Sequence, residues 1–320
     1  MIRRRRFLAN CAGMASALAM PRLSLAQGPL VLLVGGAPGS TTDREARSFA
    51  PFLARHLPNS AIDIRDLPAA AGLGALQALA ASAPGGGVLG WVSTPTLPAR
   101  IVDHGATGLL PRLTLLGAVQ QEPIVFVAPS STSLSSVHDL VAQATNGASL
   151  ATPRTGSPPH LAALRLQALT GERLNLLEFP SAAAARQAAV AGTVAAAVLG
   201  LSNAVDDLRA GRLAGLGVAT ERRIATFPDM PSLGESGIDL LASIRRGLGA
   251  QAALPDEMAT RLVAALQAVA ADPGFATEAD ARGFLASWTD GADWLDLVEK
   301  KQAELARLWA TAPWLPAGAD

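Results

Sequence analysis

Two short segments of the 320-residue chain carry the residue types that hold an anion without reacting with it. The first is Gly35-Gly36-Ala37-Pro38-Gly39-Ser40-Thr41-Thr42-Asp43, which follows the apolar run 30–34 and precedes a helical pattern. The N–H groups of a helix's first turn have no intrahelical acceptor and carry partial positive charge, so a carboxylate fits there. Thr42 with Glu45 three residues on has the spacing of a capping box. The second segment is Thr152-Pro153-Arg154-Thr155-Gly156-Ser157-Pro158-Pro159-His160. Here Ser157 suits the helix cap, Pro158 the first helical position, and His160 falls in the first turn. Arg154 adds a planar fork that matches a carboxylate. A plainer reading stands beside each: a strand-to-helix turn, a His160 that satisfies its own loop, an Arg154 in solvent.

Reactive chemistry finds little support. The first loop lacks the Gly-Lys-Ser/Thr of a P-loop and the spacing of a dinucleotide fingerprint. The run closest to a nucleophile elbow, Gly200-Leu201-Ser202-Asn203-Ala204, lacks the final glycine. His56, His104, His138 and His160 have no metal-ligand spacing, and neither a metal nor a cofactor is expected. A secreted hydrolase remains the rival class, with esterase activity on a generic ester as its discriminator.

The elements that must position these loops follow from patterning. Apolar runs at 30–34, 61–65, 88–92, 113–119, 124–127, 174–179, 194–199 and 213–219 read as strands, and helical patterns lie between them, so the fold class is α/β. Met258, Leu262, Leu266 and Val269 recur at helical spacing after Pro255 and Asp256, and Trp294, Val298, Leu305 and Leu308 line a later helix. These are core positions. Two stretches suit crossings between lobes, Ala128-Pro129-Ser130 and 238–249, and a pair of crossings makes a hinge over a ligand cleft. The boundaries read as a leader over 1–26, a first lobe over 27–128, a second over 129–240, and a return to the first with C-terminal helices over 241–320.

The leader has a basic start at Arg3–Arg6, a mildly apolar stretch to Met20, and the small-x-small site Ser24-Leu25-Ala26. Arg4-Arg5-Arg6-Phe7-Leu8 suits a twin-arginine signal, and an ordinary secretory signal rich in arginine is the alternative. Cleavage near Gln27 would discard Cys11, the one cysteine, and with it any disulfide. The first 26 residues hold five arginines and no acid, so the remainder has 21 basic residues (26 less five) against 26 acidic, a net of −5. No basic run remains to track nucleic acid. Attraction for an anion must therefore be local.

Taken in order, these motifs resemble those of the tripartite tricarboxylate transporter substrate-binding proteins, the Bug or TctC family. Pro38, Gly39, Thr41, Thr42 and Asp43 resemble its Pro-Pro-Gly-Gly-Ser-Thr-Asp motif. Gly156, Ser157, His160 and Leu161 resemble its Gly-Ser-x-x-His-Leu motif. Arg209-Ala210-Gly211-Arg212-Leu213 and Phe227-Pro228-Asp229-Met230-Pro231-Ser232 resemble two of its turns, and the similarity runs over about 29–309. The resemblance implies a two-lobed type II periplasmic binding fold with a two-strand hinge and a central cleft. It implies a monomeric periplasmic receptor that passes a small carboxylate to membrane transporter subunits; a receptor for a membrane signalling partner is the alternative. The ligand-binding residues would be Pro38, Gly39, Ser40, Thr41, Thr42, Asp43, Arg154, Thr155, Gly156, Ser157, His160, Phe179 and Ser202. The departures are Phe179-Pro180-Ser181 for Tyr-Lys-Gly, Ala195 for Asp, Arg154 for Gly, Arg245-Arg246 for Trp-Tyr, and few glycines over 67–74. A guanidinium among these that turned into the cleft would favour a compact, multiply charged acid; arginines left in solvent would merely alter the pocket.

Overall fold

The computed structural model describes residues 29–57, 60–85 and 87–315. The expected leader, Cys11 and the Gln27 cleavage point lie outside the described residues. Strands are β1 (Leu30–Val34), β2 (Ile62–Asp66), β3 (Val88–Thr94), β4 (Leu113–Pro129), β5 (Ser149–Thr152), β6 (Asn175–Glu178), β7 (Ala196–Gly200), β8 (Leu213–Val218), β9 (Ser243–Gln251) and β10 (Leu285–Asp290). Helices are α1 (Thr41–His56), α2 (Leu73–Ala80), α3 (Thr96–Asp103), α4 (Val137–Ala142), α5 (Pro158–Thr170), α6 (Ala182–Val190), α7 (Val205–Arg209), α8 (Asp256–Ala270), α9 (Pro273–Arg282) and α10 (Gly291–Thr311).

One sheet has β2, β1 and β3 parallel, then β9 antiparallel to β3, then β4, with β10 along β4. The other has β6, β5 and β7 parallel, with β4 antiparallel to β7 and β8. β4 thus belongs to both. Its first part, to Pro123, pairs with β9; from Ile124 it pairs with β7 and β8. The change of sheet falls ahead of the Ala128–Ser130 crossing read from the sequence. The return runs through Ala242, which accepts from Ile124 N at 3.2 Å, into Ser243, the register partner of Pro123. β4 and β9 are therefore the two-strand hinge.

The sequence reading saw two strands in β4, split by Gln120, Gln121 and Glu122. They are one strand. Gln120 and Glu122 are fully buried, and Glu122 is met by Arg246 of β9 and by Ser202 after β7 rather than by water.

Helices cover both faces of each sheet, and the apolar clusters divide accordingly. One face of the first sheet packs on α1, α8 and α9, with Phe49 stacked on Trp91 at 4.6 Å between ring centres. The opposite face packs on α2, α3 and α10, where Trp294 Nε1 donates to Thr94 Oγ1 at 2.9 Å. Met258, Leu262, Leu266 and Val269 are buried along α8 as their spacing requires, and so are Trp294, Val298 and Leu305 along α10, with Leu308 half-buried.

The turn into α2 is strained. Ala70 and Ala71 sit at φ 48° and 51°, a left-handed conformation in which Cβ crowds the following carbonyl. Gly72, at φ 97°, lets its backbone touch Gly35, whose own Cβ would lie 2.9 Å from Gly72 Cα. The turn therefore packs directly against the Gly35–Gly39 loop. Ala70→Gly relieves the strain and is expected to raise stability by about 1 kcal/mol, less the entropy glycine adds to the unfolded chain. An unchanged or lower midpoint in urea would show that this turn is not held left-handed.

Candidate functional site

A cavity of about 470 Å³ opens between the two sheets. One wall is the Gly35–Thr42 loop and the start of α1; the facing wall is Pro153–Pro158 with Pro180–Ala183. Of the sequence-predicted residues, Pro38, Gly39, Ser40, Thr41, Thr42, Arg154, Thr155, Gly156 and Ser157 line this one cleft. Asp43, His160, Phe179 and Ser202 do not.

The start of α1 is built two residues earlier than the Thr42–Glu45 spacing suggested. Ser40 is the cap: its Oγ accepts from Asp43 N at 3.3 Å, and the Asp43 carboxylate accepts from Gly39 N at 2.7 Å. Asp43 is buried, with Arg47 Nε 2.6 Å from its Oδ1. Its carboxylate thus holds the loop, and Thr41 and Thr42 face the cleft from the first turn. The Thr41 hydroxyl also donates to Asn203 Oδ1, in the turn after β7, at 2.9 Å, a contact the sequence did not signal. Arg44, in the same turn, lines the mouth and donates to Gly39 O at 2.7 Å.

On the facing wall Ser157 caps α5 and Pro158 is its first residue, as the sequence indicated. Gly156, at φ 71°, donates its N–H to His160 Nδ1 at 3.3 Å. Burial pushes the His160 imidazole down to about 4, so it is a neutral acceptor that holds the turn from behind. Arg154 is exposed at the mouth, where its Nε donates to Pro180 O at 2.9 Å. The Thr155 hydroxyl donates to Glu178. Phe179 packs half-buried on the apolar cluster around α6. Ala195 N donates to Ser149 Oγ at 3.1 Å, away from the cleft.

Arg245 and Arg246 neither line this cleft nor stand in solvent, which corrects both readings of the pair. They occupy adjacent positions in β9, so their side chains leave opposite faces of the sheet. Arg246 is buried between Glu45 of α1, at 2.6 Å, and Glu122 of β4, at 2.8 Å. The same Glu122 accepts from Ser202 N at 3.0 Å and Ser202 Oγ at 2.6 Å. Ser202 thus serves the hinge. Arg245 donates to the Thr289 hydroxyl and, at 3.0 Å, to Gln121 Oε1, beside a separate groove.

Besides Arg44, sequence reasoning missed a second cleft arginine, Arg100. It lines the cleft from α3, is 2% exposed, pairs with Asp103, and donates to Gly156 O at 3.2 Å. Asp103 also accepts from Trp314 Nε1 at 2.9 Å. Its signal was an arginine between Leu97 and Ile101 on the apolar face of a helix.

Among the described residues no cluster of His, Cys, Asp or Glu suits a metal, and no helix is long and apolar enough to cross a membrane. A UPF0065 protein of Bordetella bronchiseptica is 27% identical over 290 residues, covering 89% of this chain and 85% of that one. The Rhodopseudomonas palustris protein Rpa4515, solved with adipate, superposes with a TM-score of 0.77 at 21% identity, over 89% of this chain and 97% of that one. MatC (Rpa3494) of the same organism, solved with bound malate, does so at 0.75 and 22%, over 88% and 98%. Residues 46–309 match the tripartite tricarboxylate transporter family receptor. With that match covering most of its length, and with two lobes hinged on β4 and β9 over one cleft, the chain belongs to the tripartite tricarboxylate transporter receptor (TctC) family.

Proposed function

We propose that this chain is a periplasmic receptor that captures a small carboxylate between its lobes and delivers it to membrane transporter subunits, without reacting with it. The observation that carries the reading is the pairing of two helix N-termini, α1 and α5, across one cleft with an exposed arginine on each wall. Arg44 and Arg154 donate to backbone carbonyls. Malate and adipate in MatC and Rpa4515 support the ligand class. The lobes are proposed as 29–123 with 243–315, and 124–242, acting in a monomer exported by the leader.

A thermal-shift screen of the chain from Gln27 onward against carboxylic acids tests this. An acid present at a hundred times its Kd is expected to add about 2.7 kcal/mol of stability. A screen in which no acid raises the melting temperature rejects the reading.

Ser157 is expected to matter twice. Its oxygen accepts from His160 N at 3.4 Å, which leaves its own O–H to donate to a carboxylate. Ser157→Ala should weaken binding about tenfold or more, the loss of one charge-assisted hydrogen bond, and should lower stability by about 1 kcal/mol as a lost cap. Unchanged affinity in calorimetry would remove its hydroxyl from the ligand.

A further inference from the structure

The cleft continues past the two helix N-termini. Between β1, α2, β3 and α3 it enters the first lobe as a chamber walled by Leu33, Ala75, Leu76, Leu79, Val92 and Leu97. All six are buried members of one apolar cluster, so the chamber is a recess in the core. Ser93, Thr96 and the buried Arg100 also line the cavity on the β3–α3 side. Arg44 and Arg154 stand exposed at the mouth, Arg100 is already paired with Asp103, and among the described residues no Asp or Glu lines the cavity.

We infer that the ligand of this site is an amphipathic monocarboxylate: its carboxylate lies at the mouth, and a medium-length alkyl or aromatic body fills the aliphatic chamber. The inference rests on the carboxylate-receptor reading and narrows it. A second carboxylate carried into the chamber would exchange water for aliphatic side chains, and burying an unpaired charge is costly. An apolar body placed there gains by leaving water. Of the three arginines that would have argued for a compact polyacid, Arg245 and Arg246 are engaged beside another groove and at the hinge, and Arg154 alone lines the cavity, exposed at its mouth and away from the aliphatic chamber. The site therefore selects by apolar volume at one end and charge at the other.

Calorimetric titration of the chain from Gln27 onward with straight-chain monocarboxylates from butanoate to nonanoate, and with dicarboxylates of matched carbon number, tests this. Affinity for the monoacids is expected to rise about fourfold per methylene until the chamber is full, and then to fall. Each dicarboxylate should bind at least tenfold more weakly than the monoacid of its length. The monoacids should also show a negative heat-capacity change that grows with length. Ala75→Val narrows the chamber and should reduce affinity for the longest bound acids about tenfold, and for butanoate by less. Because the length series uses the unaltered protein, it stands even where Ala75→Val folds poorly. Affinity independent of length, or a dicarboxylate tighter than its matched monoacid, overturns the amphipathic ligand and leaves the carboxylate receptor intact. Absence of binding by every acid overturns both.

Discussion

Replacing Arg246 by methionine is expected to cost about 3–5 kcal/mol at neutral pH, because it strips the cation from a buried carboxyl pair. Glu45 and Glu122 are 3% and 0% exposed, and Arg246 is the cation between them. Methionine fills much of the space, but with Glu45 raised to about 8 and so largely protonated at neutral pH, it leaves the buried Glu122 carboxylate without a counter-ion and with little water. Acid should then recover part of the loss, since protonation removes that charge. The unaltered protein carries a milder form of the same behaviour. Burial raises the Glu45 carboxyl to about 8, against the pull of Arg246 and with the push of Glu122. A carboxyl raised in the fold contributes stability that is complete below its ordinary value of 4.5 and is lost as pH rises through about 8. His160 works in the opposite sense: its contribution is complete above 6.5 and is lost as pH falls towards about 4. The two slopes oppose one another between pH 4.5 and 6.5, and Glu45 acts alone between 6.5 and 8. Urea midpoints of both proteins across pH 4.5–8 check this. An Arg246→Met protein as stable as the parent at pH 7 would mean that the hinge charges are solvated.

The second large effect is expected at Gly156. A methyl group there meets three obstacles at once. The residue sits at φ 71°, where a side chain is strained by about 1–3 kcal/mol. Its Cβ would run into the Arg100 guanidinium and lie 3.0 Å from the Trp314 indole. Its carbonyl and N–H are the groups held by Arg100 and His160. Gly156→Ala is therefore expected to lose several kcal/mol of stability, and to lose ligand binding through displacement of the Ser157 cap. Gly105→Ala is the control: it shares a positive φ, at 62°, but its Cβ would meet nothing within 4 Å. It should show the strain alone. Equal losses in the two variants would remove the Arg100 contact from the account.

The corrections share one cause. Thr42 and Glu45 have capping-box spacing, yet Ser40 takes the cap, because Gly39 at φ 77° turns the chain so that Ser40 is the last extended residue. Glu45 is then free to turn inward and meet Arg246, 201 positions away in the chain. Arg245 and Arg246 are identical in type and differ only in which face of β9 they occupy. His160 has the sequence context of a ligand residue, and only the fold shows its ring behind Gly156.

By itself the sequence determined what depends on neighbours along the chain. Apolar periodicity set most of the strands and helices, though not β10, the Ser157-Pro158 start set α5, and the two glycine-bearing turns set where helix N-termini would open. The ordered motifs identified the family, whose fold then placed both turns across one cleft. Tertiary structure alone decided which side chains share that cleft. The apolar chamber, the burial of Arg100 and the Glu45–Arg246–Glu122 set each join residues remote in sequence, and burial, which decides whether a charge is paired or solvated, is a property of the packed molecule. The crossing of β4 at Pro123 was hidden for the same reason. Its glutamines and Glu122 break the apolar run that marks a strand, and Gln121 and Glu122 are tolerated there because β9 and the turn after β7 supply the partners that water would otherwise provide.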